Sequence, residues 1–491
     1  MKKNLLFAAA VLCAFACKPV DEVPVVEVNL SSFGFSAEKN AALKADVFVE
    51  NPSSSVNITL PYGTDEEALK TLVPTFTVTE GATVTVNDSA VESGVSTVDF
   101  TYPVEFLVTV NEKSNALYTV TVKVGEPDSF ILAAKTEGAD SIAKGPYLAI
   151  NPKTGEPYFG AIAKTDDAHP LLYRYNGASI VKVCDVTEGQ GDQPTVAFSS
   201  DGTAYFACYD GSKFVNVYKV GENSSAIFGE KGVLYKPLTN SAYSTIGLLP
   251  LSASSLYIGY GVNAKSGNLA RRTLNLAHTD GKTWQQEISI AGREESLYAY
   301  ETYSKMVGDT GYMLIFNQNK HSLSLYKFDS AVSTVFEALS FTLPDSETQA
   351  KVNLFGIDFD IASDGTPYFM VALENSSNLG YSPAVYRYDL NEKKATLVGG
   401  VLSNIDASAK KTISFALNSN DMPYVAYTNS TSENAVYTYI GSKTKIWVDP
   451  IALSDEQADN VKIAFAEDGT GYITYEAAAT GDHHIALYKT K

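Results

Sequence analysis

AFSSDGTAYFACY (Ala197–Tyr209) and AFAEDGTGYITY (Ala464–Tyr475) are two copies of one pattern: an apolar strand, a polar turn carrying Asp-Gly, then tyrosine in a second apolar strand. IASDGTPYFMVAL (Ile361–Leu373) repeats it, and ALNSNDMPYVAY (Ala416–Tyr427) repeats it with a polar turn that lacks the glycine. Glycine beside aspartate supplies the positive φ that a tight hairpin needs. Seven tyrosines keep the register: Tyr158, Tyr205, Tyr257, Tyr312, Tyr368, Tyr424 and Tyr472, separated by 47, 52, 55, 56, 56 and 48 residues. A period of ~40–55 residues built from short strands alone is the signature of a β-propeller with one four-stranded blade per repeat.

Each copy continues into a third strand of alternating aromatic and polar residues, as in Leu172-Tyr173-Arg174-Tyr175, Val217-Tyr218-Lys219, Leu325-Tyr326-Lys327-Phe328 and Val385-Tyr386-Arg387-Tyr388. Period-2 alternation is what an antiparallel strand requires. A fourth apolar run closes most copies, for example Ser179 to Cys184 and Lys445 to Leu453. The seventh copy reaches only its third strand, Ile485 to Lys489, before the chain ends. An unassigned run, Ser129 to Lys135, precedes the first copy and is expected to supply the missing strand, so that both chain ends close the ring. The expectation is an all-β chain: an immunoglobulin-like sandwich over 24–124, then a seven-bladed β-propeller over 128–491.

Met1 to Ala16 carries two lysines, an apolar run and Ala-Phe-Ala before Cys17, which reads as a secretory signal. It resembles a bacterial lipoprotein signal, and that resemblance implies that Cys17 becomes the acylated N-terminus, with 17–23 as the tether. The acidic pair in Lys18-Pro19-Val20-Asp21-Glu22 resembles the export signals of Bacteroidetes-type surface lipoproteins. An outer-membrane lipoprotein, facing the cell exterior rather than the periplasm, is therefore expected. The apolar run is too short for a permanent span, and no other segment approaches ~18 consecutive apolar residues. Once Cys13 and Cys17 are accounted for, Cys184 and Cys208 remain; neither sits in a CxxC or nucleophile motif. They are read as two separated buried thiols, with a disulfide as the alternative that an oxidising compartment permits.

Pro24 to Val124 does not follow the blade pattern. It holds strand-rich runs at Val25–Phe35, Val47–Leu60, Val73–Val86 and Val98–Val124, the last containing a clear hairpin of Val104–Val110 and Tyr118–Val124. About 100 residues with ~7 short strands read as an immunoglobulin-like sandwich. Leu60-Pro61-Tyr62-Gly63-Thr64-Asp65, Leu72-Val73-Pro74-Thr75-Phe76 and Asp99-Phe100-Thr101-Tyr102-Pro103-Val104 resemble the cadherin-like domains of Bacteroidetes surface lipoproteins. The resemblance implies a stalk and brings no functional residues.

In a propeller the connections between second and third strands gather on one face around the channel. Here they are polar, and His169, His321, His483 and His484 lie in them, with Tyr209, Tyr260, Tyr381 and Tyr427 beside or within them. These residues are the candidate ligand-binding set, an arrangement of aromatic platforms and polar groups that sugar sites use. Equally, polar loops collect histidines because loops are wet. Asp358 and Asp360 flank Phe359 on an alternating strand, face the same way, and are the best acidic candidates. A metal drawn from His169, His483 and His484 lacks a ligand-spacing motif, so no metal and no cofactor is expected.

His278-Thr279-Asp280-Gly281-Lys282-Thr283-Trp284 resembles the Asp-box of sialidase-like propellers, departing at its first position and shorter by one residue. That turn is structural, and the five arginines do not supply the arginine triad that such hydrolases use. No GxSxG, HExxH, P-loop or dinucleotide fingerprint occurs. A net charge of −19 without Lys/Arg clusters argues against nucleic acid. The leading expectation is a non-catalytic binding protein for a glycan or an envelope or extracellular protein. A polysaccharide hydrolase or lyase using Asp358 or Asp360, or an adhesion component binding through its blade edges, are the alternatives. Two tryptophans, Trp284 and Trp447, are few for a strong carbohydrate binder.

Overall fold

The computed structural model describes residues 24–136, 141–212, 214–234, 246–261, 274–285, 288–290, 302–317, 322–329, 332–342, 352–374, 381–400, 402, 413–479 and 482–491. It divides into two compact units between Gly125 and Glu126.

The first unit is a two-sheet β-sandwich. A three-stranded sheet (Val47–Glu50, Leu30–Phe35, Thr75–Val78) faces a five-stranded one (Ser55–Leu60, Ser114–Val124, Val104–Asn111, Thr83–Val86, Ser89–Ala90). Strict alternation drives it: in Ser55–Leu60 every second residue, Val56, Ile58 and Leu60, is buried while its neighbours face water. Five phenylalanines fill the space between the sheets. Phe33 packs edge-on to Phe35, Phe100 and Phe106 and stacks on Phe76. Ser55–Leu60 runs parallel to the end of Ser114–Val124, and the Val104–Val124 hairpin is as the sequence indicates.

The second unit is the propeller. Its inner strands are Ile142–Ile150, Gly191–Phe198, Gly247–Ser252, Tyr303–Val307, Val352–Ile361, Ile413–Leu417 and the second half of Ile451–Phe465. Blades one to five are separate four-stranded antiparallel sheets; blades six and seven share Ile451–Phe465, which is the outer strand of one and the inner strand of the next. The run Lys445 to Leu453 therefore corrects to a turn, closed by the Ile440–Trp447 bridge, followed by the start of this shared strand. Phe130–Lys135 pairs with Asp482–Thr490 and completes blade seven with a strand from before blade one. Its first residue, Phe130, packs its ring 4.9 Å from Tyr437 and also against Tyr424 and Phe465, joining blades six and seven.

Apolar cores lie between blades rather than within them. Phe206 and Cys208 of blade two meet Leu172 and Cys184 of blade one in a single core. Ile485 and Leu487 of blade seven meet Phe159 and Tyr173 of blade one in another, which closes the ring. The repeated tyrosine explains itself here. Tyr158 lies 5.0 Å from Phe198, at the end of blade two's inner strand, and Tyr424 lies 4.8 Å from Phe465 of blade seven. Each ring is a wedge between a blade and the next, and burial pushes the Tyr205 phenol up to about 12.

The Asp-Gly turns hold the opposite face from the one bearing the candidate loops. Gly202 and Gly469 adopt φ of 85° and 90°, and in blade six Asp421 takes this role at 59°. Asp201 accepts from Ser199 Oγ (2.6 Å) and Thr203 N–H (3.0 Å), which holds its carboxyl at about 2. Asp364 is lowered in the same way, chiefly by Thr366 N–H. A carboxyl whose folded value is depressed contributes stability above its unfolded value and loses it as pH falls through the folded one. The melting temperature should therefore drop steeply between the ordinary 3.8 and about 2, and removing the Ser199 hydroxyl by Ser199→Ala should shrink that drop. An unchanged acid profile in the variant would contradict the assignment.

Candidate functional site

Inner strands of a propeller expose one backbone edge to the channel, and their N–H groups need partners. Asp358 and Asp360 supply them. Asp358 accepts from Phe415 N–H (2.9 Å) and Ser414 Oγ (3.2 Å) of blade six and from Phe359 N–H (2.9 Å). Asp360 accepts from Leu417 N–H (3.0 Å) and Ile361 N–H (2.7 Å) and pairs with Lys305 of blade four. Both face one way, as alternation requires, and every carboxylate oxygen is engaged. Burial raises the Asp358 carboxyl, partly offset by Lys462, whereas Asp360 sits against a cation. Asp360→Asn leaves Lys305 without its carboxylate and should cost ~1–3 kcal/mol in urea unfolding. Asp358→Asn relieves a buried charge and should cost clearly less; equal losses would contradict this division.

The other candidates separate by face. Tyr209, Tyr260 and Tyr427 stand next to last in their second strands, but their rings are buried in the cores between blades. A platform for stacking a sugar needs an open ring face, and in this structure none of the three has one. His169 contacts Asp167 through Nδ1 and Asp185 through Nε2, both at 3.1 Å, so each ring nitrogen has a carboxylate. Tyr381 opens the third strand Tyr381–Asp389 opposite Glu374. His321 and Cys17 lie outside the described residues.

His483 and His484 are successive residues of one strand and so point to opposite faces. His483 turns toward blade one with Glu476, while His484 lies on the face that carries Tyr475, whose hydroxyl meets Ser454 Oγ. Among the described residues no group of three or more His, Cys, Asp or Glu is placed to hold a metal ion.

Around His483 the structure assembles a cluster in which the sequence singled out only that histidine. Nδ1 of His483 contacts Glu476 Oε1, and its backbone N–H donates to Ser141 Oγ (3.2 Å). Asn460 Nδ2 donates to Glu476 Oε2 (2.9 Å) and to the Gly145 carbonyl (3.0 Å) of blade one. Glu476 is 7% exposed and its burial raises its pKa, while His483 is 35% exposed. An enclosed carboxylate thus fixes a half-open imidazole through one nitrogen. Beyond it, Lys144 pairs with Asp192 (2.5 Å) and Tyr147 Oη meets Gln193 Oε1 (3.0 Å), linking blades one and two.

The inner strands of blades seven, one and two all break their regular ladder at the end nearest the loop face. Register shifts fall between Asp459 and Lys462, around Lys144, and between Asp192 and Thr195. Asn460, Gly145 and Gln193 occupy positive φ at these breaks, 52°, 116° and 50°. Bulges re-aim side chains and cluster at barrel rims and sites. Together these residues form a polar arc at the mouth of the channel.

Both tryptophans serve the fold. Trp284 donates to the Glu230 carbonyl (3.1 Å), and Trp447 to those of Val398 (3.2 Å) and Gly400 (3.1 Å), each reaching from a turn onto the preceding blade. The Asp-box-like turn is structural: Asp280 accepts from Lys282 and Thr283 N–H. Cys184 and Cys208 are free thiols; burial pushes Cys184 up to about 11 and Cys208 higher still.

Residues 33–122 match the family model described as "SGBP, N-terminal". No curated protein matches the chain. Among solved structures, a protein of unknown function from Dyadobacter fermentans is 11% identical, covering 74% of this chain and 98% of its own at a TM-score of 0.44. An α-L-arabinanase from Penicillium chrysogenum, complexed with arabinobiose, is 10% identical over 75% of this chain and 99% of its own, at 0.42. A polysaccharide lyase, an ulvan lyase, is 11% identical over 72% and 96%, at 0.45.

Proposed function

We propose that the chain is a cell-surface lipoprotein, anchored through Cys17, that binds a glycan on the loop face of its propeller without turning it over. The observation that carries the reading is the match of residues 33–122 to the N-terminal domain of the surface glycan-binding proteins of Bacteroidetes. On this reading the N-terminal sandwich is an immunoglobulin- or cadherin-like stalk, and the propeller is the binding module. The polar arc, held by its own hydrogen bonds, is on this reading the surface that meets the ligand. Binding rather than turnover is favoured because Asp358 and Asp360, the acidic pair best placed by sequence for acid–base work, commit every oxygen to backbone N–H groups, Ser414 or Lys305.

A screen of the chain from Lys18 onward against a glycan array, with product analysis on every glycan bound, tests this. Specific binding with no product is expected. Product release would move the protein to the enzyme class, and silence on every glycan would point to a protein partner instead.

A further inference from the structure

Three side chains at the junction of blades seven and one are held in place before any ligand arrives. Glu476 is enclosed and has one oxygen on His483 and the other on Asn460 (2.9 Å). Asn460 keeps a left-handed backbone that an asparagine adopts at some cost, and its amide then reaches both Glu476 and the Gly145 carbonyl. Gly145 must be glycine: at φ 116° an added Cβ would lie 2.8 Å from the Gly160 carbonyl oxygen. Two chain segments distant in sequence are thereby pinned at one point, with the Nδ1 edge of His483 fixed inward. Among the described contacts, His483 Nε2 and Asn460 Oδ1 have no partner. Preorganised groups of this kind reduce the ordering cost of binding.

We propose that this junction is the sugar subsite of the propeller, where His483 and Asn460 bind vicinal hydroxyls of an uncharged sugar; the inference rests on the glycan-binding reading above. An imidazole nitrogen and a carboxamide oxygen, on two side chains held by the two oxygens of one carboxylate, offer the donor and acceptor that a diol needs. The charge of the surroundings selects against acidic sugars. Glu476 and Asp459 lie on blade seven's side, and Asp192 and Asp185 on that of blades one and two. Two of the nearby lysines are paired: Lys144 with Asp192 and Lys182 with Asp185. A uronate or sulfate would meet these carboxylates, two of them already holding the lysines beside them. With Trp447, Tyr209, Tyr260 and Tyr427 enclosed and Trp284 placed in the turn between the outer strands of its blade, hydrogen bonding rather than stacking carries recognition at this place.

The test is calorimetric titration of the chain from Lys18 with soluble neutral polysaccharides and with polyuronates, using the parent, His483→Ala and Asn460→Gly. Glycine accepts the positive φ of position 460 and removes only the amide. The expected result is binding of a neutral glycan, weakened about tenfold in each variant at a temperature where both remain folded, since each variant removes a partner of Glu476 and melts below the parent. Neutral-glycan binding unchanged in both variants overturns the placement and leaves the glycan-binding reading standing. Binding confined to polyuronates overturns the choice of an uncharged sugar. No binding to any polysaccharide overturns the glycan-binding reading itself, and this inference with it.

Discussion

Trp447→Ala should lower the stability of the propeller by ~3–5 kcal/mol, read as the loss of unfolding free energy in urea. The indole is 9% exposed and fills the junction of blades five and six with Ile440, Leu402 and Val398 around it. Its N–H is shared by the carbonyls of Val398 and Gly400, so truncation leaves both a cavity and two carbonyls without their donor. Relaxation into the cavity is limited, because the facing position, Gly399, is already at φ 69°, and a Cβ there would lie 2.8 Å from the indole nitrogen. Trp447→Phe keeps most of the volume and loses the N–H, so it should fall between the parent and the alanine variant. Were Trp447 instead a ligand platform, alanine would spare stability and abolish binding.

Phe130→Ala should cost a similar ~3–5 kcal/mol. Phe130 opens the strand that closes the ring, and its ring contacts Tyr424, Tyr437 and Phe465, drawn from blades six and seven. Truncation therefore loosens a junction and a strand pairing together, and the last blade should become the first to exchange its amides. Ile131→Ala, on the same strand but 43% exposed, should cost little. Comparable losses at the two positions would mean that strand pairing alone, and not the aromatic junction, closes the ring.

The blade repeat was legible because its two determinants are local: alternation along each strand and an Asp-Gly turn at a fixed offset. The closing strand was legible by subtraction, since the seventh copy lacked one. The orientation of Tyr209, Tyr260 and Tyr427 was not. Alternation separates core from water when a sheet has one wet face, but a blade is packed on both faces, and Pro157–Ala163 and Pro423–Thr428 are buried at every residue. An aromatic residue near a loop then says nothing of which way it points. Asp358 and Asp360 were correctly read as facing one way; that their partners would be the N–H groups of the next blade depends on tertiary packing. The bulge at Asn460 left no mark either, because asparagine, unlike glycine, does not announce a positive φ. Glu476 belongs to no motif and stands seven positions before the histidine it holds, so nothing in the sequence pairs the two. Trp447 sits in a turn like that of Trp284, but its longer spacing from Gly441 disguises the likeness, and by alternation alone the run reads as a strand.

Hydrogen–deuterium exchange of the chain from Lys18, with and without the glycan it binds best, tests the central claim that the propeller's loop face is the binding surface. Slowed exchange at 141–147, 458–462 and 474–485, with the Asp-Gly turns unaffected, is the predicted result. Protection confined to the N-terminal sandwich, or to the turn face at 199–203 and 466–470, would contradict it.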